Sequence, residues 1–271
     1  MATYLVVAGA ACCMAQDAPS TSASQKADSE ILPFRFEVGA YGSQVNNGLG
    51  TWKGGQAQLW MNRQSARFIP VLFFDSQTRP EGTQQNYGFF SYLNWNKSFY
   101  TVQGYSSAPQ RNDRAIFFPK RRYDIKAFWK VPPSKQLVLG AGFTRFDYGG
   151  PGHGQIFNIG ALYYYKKLVV EGNAFINRNQ PGDFISGAGS FAAQYGTEGK
   201  YWVGATLGGG KEQYRFRDVV PRDIRRSSIS LNTFYRKWLS RHVGFVVSFD
   251  YQERLDAYRR FGAATGLFFE F

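Results

Sequence analysis

Apolar and polar residues alternate with a period of two over most of this chain, from Pro33 to Phe271. Such alternation is typical of β-strands that face an apolar medium on one side and a polar medium on the other. In the final stretch, one face carries Phe261, Ala263, Thr265, Leu267, Phe269 and Phe271. Helical spacing is never sustained, so the sequence predicts an all-β fold.

The number of such segments is fourteen, with twelve as the alternative. The predicted strands begin near Pro33, Gly54, Arg67, Gln84, Ser98, Arg122, Gln136, Gln155, Leu168, Phe184, Lys200, Ser227, His242 and Arg259. The links after even-numbered strands are short, whereas most links after odd-numbered strands are longer and more polar. This arrangement is typical of an antiparallel up-and-down β-barrel that spans a bacterial outer membrane.

Aromatic residues occur beside the short links, where a barrel would meet the lipid headgroups on its periplasmic side. They are Trp95, Trp129, Tyr165, Tyr195, Tyr201, Trp238 and Phe271. We predict that they form an interfacial belt. A terminal Phe on an amphipathic last strand also resembles the signal by which outer-membrane barrels are recognised for insertion. The barrel-assembly machinery is therefore a predicted partner, through the strand that ends at Phe271.

The net charge is +13, which on a soluble protein would suggest a nucleic-acid partner. When the charges are sorted by strand face, the positive excess falls near the two rims of the predicted barrel, where it can meet lipid phosphates instead of nucleic acid. The predicted lumen is neutral, with five positive and five negative residues. These are Arg35, Arg122, Lys126, Lys130, Arg236, Glu37, Asp124, Glu171, Asp250 and Glu270. We predict that they form internal ion pairs. Large inward residues such as Trp60 and Trp202 are expected to narrow the lumen.

Two of the longer links hold most of the remaining positive charge on the outer side. Their basic residues are Arg111, Arg114, Lys120, Arg121, Arg215, Arg217, Arg222, Arg225 and Arg226. We predict that they contact the phosphates of lipopolysaccharide, because basic groups at a membrane rim attract anionic lipid headgroups. The alternative is that these charges are simply solvated. The first link also contains an apolar stretch around Phe117, which is expected to dip into the lumen or to cap it.

The first 15 residues are predicted to be a secretory signal peptide, because Tyr4–Ala15 is apolar and too short to cross a bilayer as a helix. A lipoprotein anchor through Cys12 or Cys13 is the alternative. Residues 16–32 are polar and rich in Ser and Ala, as in a flexible linker. The barrel would then occupy residues 33–271. Both cysteines precede it, so disulfide and thiol chemistry are not expected.

Catalytic chemistry is not indicated. The two histidines, His153 and His242, fall in links at opposite ends of the predicted barrel. Metal-ligand spacings are absent from the sequence, and no glycine-rich stretch matches a nucleotide-binding loop. We therefore predict no catalytic residue, no metal and no cofactor.

The first hairpin and the last strand carry a family resemblance. The stretch from Phe36 to Trp60 contains a turn with Asn47, Gly48, Gly50 and Trp52, and the chain ends in FGAATGLFFEF. Together these features resemble the YaiO-like outer-membrane barrel family over about residues 33–271. The resemblance implies an outer-membrane location and, in some members, a surface-polysaccharide context. It offers no catalytic residue.

The expected function is therefore structural or transport-related and non-catalytic. One alternative is a porin-like diffusion channel for small hydrophilic solutes or saccharides. A second is an outer-membrane lipid hydrolase that uses His153. A third is a soluble secreted β-protein that binds an apolar ligand, which would be expected to stay out of outer-membrane fractions.

Overall fold

The computed structural model shows a closed barrel of fourteen antiparallel strands. It describes residues 31–65, 67–109, 117–149, 152–180, 182–215, 223–255 and 257–271. The strands are β1 (Arg35–Val45), β2 (Gly50–Trp60), β3 (Phe68–Arg79), β4 (Gly82–Asn94), β5 (Phe99–Ser107), β6 (Arg121–Lys130), β7 (Leu137–Gly149), β8 (Gly152–Tyr165), β9 (Leu168–Gln180), β10 (Phe184–Thr197), β11 (Tyr201–Arg215), β12 (Asp223–Trp238), β13 (Val243–Arg254) and β14 (Tyr258–Glu270). The predicted fold class and strand number are confirmed.

Each strand pairs with its neighbours in sequence, and β1 closes the barrel by pairing with β14 along its whole length. The described part of the chain contains no helix that is long and apolar enough to cross a membrane. Two ends of the barrel can be distinguished. We call the end with the links that follow even-numbered strands the turn end, and the opposite end the loop end. The last residue, Phe271, lies at the turn end, where its amide donates a hydrogen bond of 3.1 Å to the Phe34 carbonyl oxygen.

The prediction of long links at the loop end is wrong for most of them. The β3–β4 link consists only of Pro80 and Glu81, and the β7–β8 link only of residues 150–151. Polar residues assigned to loops instead continue the strands. A strand that protrudes beyond the bilayer meets water on both faces, so its residues are as polar as those of a loop. Only the β5–β6 link (residues 108–120) and the β11–β12 link (residues 216–222) remain longer than four residues at this end.

The two faces of the strands have different surroundings. On β14, Phe261, Leu267 and Phe269 point outward and are exposed, whereas Phe268 and Glu270 point inward and are buried. The same alternation holds on β6, where Ile125 is exposed on the outside. Large apolar side chains therefore cover the outer surface, as a lipid environment requires.

The lumen is packed at the turn end. One apolar cluster contains Trp60, Ile69, Val71, Phe90, Tyr92, Tyr100, Val138 and Leu162. A second contains Val169, Trp202, Phe234, Trp238 and Phe268. Tyr164 of β8 packs against both clusters and so joins them. Large inward residues therefore fill the turn-end half of the lumen from β2 round to β14.

The predicted aromatic belt is present except at one position. Trp95, Trp129, Tyr165, Tyr195 and Phe271 are exposed, and Tyr201 lies beside Tyr195. Trp238 was wrongly placed in the belt. It is 5% exposed and packs inside the lumen against Phe268, with their ring centres 5.0 Å apart. The strand β12 alternates without a break up to this residue, so Trp238 shares the inward face with Arg236 and Phe234.

Candidate functional site: the barrel lumen

A cavity of about 160 Å³ lies in the lumen beside strands β2 to β9. Its floor is apolar and aromatic, and is formed by Phe90, Tyr92, Tyr100, Phe128 and Leu162. These side chains also belong to the packed turn-end clusters or contact them. One enclosed water needs roughly 10–15 Å³ measured in the same way. The cavity therefore has room for about ten waters, or for a small solute in their place.

Side-chain amides line the walls above this floor. They belong to Gln56 and Gln58 of β2, Asn86 of β4, and Asn158 of β8. Within the described residues, none of these four amides has a protein hydrogen-bond partner. The Asn86 Oδ1 atom is the most constrained of them, because it is fully buried as well as unpaired. Buried polar groups are normally paired, so these amides are available to water or to a bound solute.

Five charged groups line the cavity, and four of them are two cations and two anions that lie close together. The fifth, the Asp75 carboxylate, accepts a hydrogen bond of 2.8 Å from the Tyr41 hydroxyl. Arg122 donates two hydrogen bonds of 2.8 Å to the Asp124 carboxylate, which also accepts one of 2.6 Å from the Thr144 hydroxyl. The Glu171 carboxylate accepts a hydrogen bond of 2.7 Å from Asn173. Lys126 lies within electrostatic range of both Asp124 and Glu171. Two cations and three anions therefore line the cavity, so their charges nearly cancel.

The β5–β6 link covers the cavity at the loop end. Phe117 and Phe118 are buried, and their amides donate hydrogen bonds of 2.5 and 2.7 Å to the Oε1 atom of Gln84. Gln84 belongs to the inward face of β4. Pro119, the next residue of the link, is part of the cavity lining. The apolar stretch of this link therefore folds into the mouth of the lumen.

An arginine on the neighbouring strand β3 also holds this link. The Arg79 guanidinium carbon lies 3.8 Å from the ring centre of Trp52 and 4.3 Å from that of Phe117. Arg79 is also positioned by Gln77, whose Oε1 atom accepts two hydrogen bonds from it, at 2.8 and 3.0 Å. The guanidinium therefore joins the first hairpin to the β5–β6 link through cation–π contacts.

Six charged residues form a network at the turn end, which we call the latch. They are Arg35, Arg63, Arg236, Glu37, Glu198 and Glu270. Glu270 accepts a hydrogen bond of 2.7 Å from the Arg35 Nε atom and one of 3.0 Å from the Arg63 Nη1 atom. Glu198 accepts hydrogen bonds from the same two arginines, at 2.9 Å from Arg63. Three cations and three anions compensate one another here.

The latch crosses the lumen at the turn end. Arg63 comes from the β2–β3 link and Glu198 from the β10–β11 link, so two links that lie apart around the barrel are joined. Glu37 accepts hydrogen bonds of 2.8 and 3.0 Å from Arg236 of β12. The Arg35 guanidinium carbon also lies 5.5 Å from the Trp238 ring centre. Buried charges are costly to desolvate, and each is retained here with a partner of opposite sign.

The structure places the ten predicted lumen charges on inward-facing positions and brings most of them into two groups, the latch and the cavity wall. Lys130 lies apart from both, with its Nζ atom 5.5 Å from the Tyr100 ring centre. Asp250 also lies apart and pairs with Arg260 at 2.9 Å.

Several lumen charges escaped the sequence-based assignment. Arg63 and Glu198 were assigned to the short links, and Arg79, Arg254 and Arg260 to the loop end, yet the four arginines are buried. For the last three, a clue was present, because they continue the inward alternation of β3, β13 and β14. For Arg63 and Glu198 there was none, because links have no fixed periodicity.

Comparison with known proteins identifies the family. The family described as the YaiO membrane beta barrel domain matches residues 34–215, which is more than half of the chain. The chain belongs to this family. The predicted resemblance and the outer-membrane location are thereby confirmed. Outer-membrane barrels place their longer links on the outer side. Because the longest link, β5–β6 (residues 108–120), lies at the loop end, we expect the turn end of this YaiO-family barrel to face the periplasm.

Solved structures of other outer-membrane barrels share the fold. A bacterial polysaccharide outer membrane secretin superposes with a TM-score of 0.58 at 7% identity, covering 89% of this chain and 99% of its own. The CymD monoaromatic hydrocarbon channel has a TM-score of 0.57 at 9% identity, covering 89% of each chain. An outer membrane channel from Pseudomonas putida F1 has a TM-score of 0.50 at 9% identity, covering 91% and 99%. Among curated protein sequences, none matches this chain.

The residues predicted to contact lipopolysaccharide are only partly described. Lys120 and Arg121 are exposed at the loop end of the YaiO-family barrel. Arg215, Arg225 and Arg226 lie in the loop-end parts of β11 and β12, where only the backbone is described. The remaining residues, Arg111, Arg114, Arg217 and Arg222, lie outside the described residues. Their contact with lipopolysaccharide stays a prediction.

The two histidines are far apart. His153 is exposed near the loop-end tip of β8, and the His242 Nδ1 atom lies 2.9 Å from the Glu270 carbonyl oxygen at the turn end. In the described ranges of the chain, no group of three or more His, Cys, Asp or Glu side chains is arranged to hold a metal ion.

Proposed function

We propose that this YaiO-family barrel has a non-catalytic, transport-related function, and that its lumen binds a small neutral solute of the saccharide class. The solute would occupy the cavity beside β2 to β9. The latch and the apolar clusters would separate it from the periplasm until the turn end opens.

The observation that carries this proposal is the combination of an aromatic floor with unpaired amides in one cavity. The C–H faces of a sugar ring pack on aromatic side chains such as Tyr100, while its hydroxyls can both donate to and accept from amides such as Asn86 and Asn158. The paired charges of Arg122 and Asp124 favour a neutral solute. The description of one similar barrel as a polysaccharide secretin agrees with this ligand class.

The test is calorimetric titration of the refolded barrel with glucose, maltose and maltotriose, and with gluconate as a charged comparison. We expect the neutral sugars to bind more tightly than gluconate. In Asn86→Leu and Asn158→Leu, we expect binding to weaken by about three- to tenfold, because one hydrogen bond contributes about 0.5–1.5 kcal/mol.

Asn177→Leu is the matched control, because Asn177 also faces inward on β9 but does not line the cavity. Its affinity for maltose should equal that of the wild type. Absence of sugar binding in the folded wild type would refute the proposal, and so would an equal loss of affinity in all three variants.

A diffusion channel is the second candidate, and the opposite side of the lumen favours it. The inward residues of β10 and β14 include small ones, such as Ala188 and Ala264, which are partly exposed. Small side chains leave space for water along these strands. A channel and a binding barrel differ in electrical conductance, which a planar bilayer measures directly.

Two further expectations belong to this proposal. No hydrolytic activity is expected. The wild type and His153→Ala should therefore show the same absence of hydrolysis when they are assayed with phospholipid. Phe271, the residue that follows β14, is exposed and stacks on Phe34 with ring centres 5.6 Å apart. We retain the prediction that the barrel-assembly machinery recognises this strand, and that a surface-polysaccharide system is a partner.

A further inference from the structure

Basic side chains are grouped on the outer surface of strands β6 to β9 near the loop end. The strand register places Tyr123, Arg145, Gln155 and Arg178 side by side in one row across these four strands. The next row toward the loop end contains Arg121, Asp147, His153 and Gln180. Both rows belong to the outward faces of their strands. Neighbouring strands lie about 4.8 Å apart, so the two rows form one compact surface.

Two of the cations on this surface have no carboxylate partner among the described residues. Arg121 and Arg145 are exposed and take part in no ion pair or side-chain hydrogen bond. They occupy diagonal positions on β6 and β7, where side chains stand about 7–8 Å apart. Arg178 differs from them, because the Asp183 carboxylate accepts hydrogen bonds from its guanidinium and holds it in place. The Asp147 carboxylate accepts a hydrogen bond of 2.7 Å from the amide of Gly149.

The surface directly below these rows is apolar. The next row on the membrane side contains Ile125, Phe143, Phe157 and Ile176. Phe143 and Phe157 contact each other with ring centres 5.0 Å apart, and Ile125, Phe157 and Ile176 are about half exposed. The rings of Tyr105 and Tyr123 lie 4.9 Å apart on the flank of the Arg145 row. Tyrosines on a lipid-facing surface mark the level of the headgroups.

We propose that this surface binds a phosphate-bearing lipid of the outer leaflet. The lipid phosphate lies between Arg121 and Arg145, and its acyl chains lie along the row formed by Ile125, Phe143, Phe157 and Ile176. Arginine suits this role because its planar guanidinium donates paired hydrogen bonds to phosphate oxygens. Because the two arginines stand at the headgroup level, their charges remain hydrated and cost little there.

The proposal places the lipid contact on the strands rather than in the longer links. Of the residues predicted from the sequence, it retains Arg121, and it adds Arg145, which the sequence places on the lipid-facing register near the loop end. It does not depend on a solute in the lumen.

The test uses the full barrel in phosphatidylcholine vesicles that contain lipid A, dephosphorylated lipid A, or no added lipid. We expect phosphorylated lipid A to raise the midpoint of urea unfolding of the wild type, and dephosphorylated lipid A to leave it unchanged. In the Arg121→Gln/Arg145→Gln variant, we expect the apparent affinity for phosphorylated lipid A to fall by about tenfold or more, since two charge-assisted hydrogen-bonding groups are lost.

Lys53→Gln is the matched control, because Lys53 is also an exposed, outward-facing cation, on β2. It should respond to lipid A like the wild type. Equal stabilisation of the double variant and the wild type would overturn the proposal. Stabilisation by free inorganic phosphate in lipid A-free vesicles would also overturn it, because that result would indicate a site for a soluble anion rather than for a lipid.

Discussion

Gly244 is an inward-facing glycine at a point where large lumen side chains pack together. Gly244 of β13 lies beside Phe268, and a Cβ atom at this position would lie 2.1 Å from the Phe268 ring and 2.4 Å from the Lys237 carbonyl oxygen. Phe268 in turn packs against Trp238 and is fully buried. The second apolar cluster can therefore pack in this way only because residue 244 has no side chain.

We expect Gly244→Ala to destabilise the barrel by about 1–3 kcal/mol, which is the usual cost of overpacking. The measurement is urea unfolding of the refolded protein in lipid vesicles, followed by tryptophan fluorescence. Gly172→Ala is the control, because a Cβ atom there has no neighbour within 4 Å. A loss of stability in Gly172→Ala as large as that in Gly244→Ala would contradict the packing explanation.

Among the elements, the β5–β6 link shows how a loop becomes part of a barrel interior. Its apolar residues Phe117 and Phe118 are buried in the lumen instead of projecting into water. The backbone amides of both donate hydrogen bonds to Gln84, and the Phe117 ring also contacts the guanidinium of Arg79. A backbone segment in the lumen needs partners for its amides, and Gln84 supplies an acceptor for two of them.

Replacing Gln84 by Leu should release this link, because two buried backbone amides lose their acceptor. We expect trypsin to cleave after Lys120 or Arg121 about tenfold faster than in the wild type, as the loss of about 1–2 kcal/mol would allow. Gln85→Leu, which alters the neighbouring outward-facing residue, serves as the control. Unchanged cleavage in Gln84→Leu would show that the link is held by other contacts.

In the barrel as a whole, the latch and the apolar clusters together fill the lumen at the turn end. The latch depends on residues from two links as well as from three strands, so it can open without disrupting the strand ladder. If the barrel transports a solute as proposed, its permeability is expected to change at the turn end.

We expect Arg63→Gln and Glu198→Gln to raise the conductance of the barrel in a planar bilayer, or to add open events that the wild type lacks. Each variant removes one charge from a network of three cations and three anions and so leaves a buried charge of the opposite sign uncompensated, which costs about 1–3 kcal/mol. Asp183→Asn is the control, because it breaks an exposed arginine–carboxylate pair at the loop end. If neither latch variant alters conductance while both stay folded, the latch is not the barrier.

The period-two pattern was sufficient to predict fourteen strands, the antiparallel barrel and the face of most residues. A pleated strand sends alternate side chains to opposite sides, and a lipid-facing side rejects a shift of one residue. The inward positions of Arg35, Asp124 and Glu270 follow from this alternation alone. The family could also be recognised, because its turn with Asn47, Gly48 and Trp52 is local.

The sequence could not predict which residues contact one another across the lumen. Alternation shows that Arg35 points inward, but its contact with Glu198, 163 residues away, depends on barrel curvature and on the path of a link. The ends of the strands were also misjudged, because polar residues occur both in loops and in strands beyond the bilayer. The cavity, the latch and the rows of Arg121 and Arg145 therefore arise from tertiary structure, since each requires residues distant in sequence to be placed side by side.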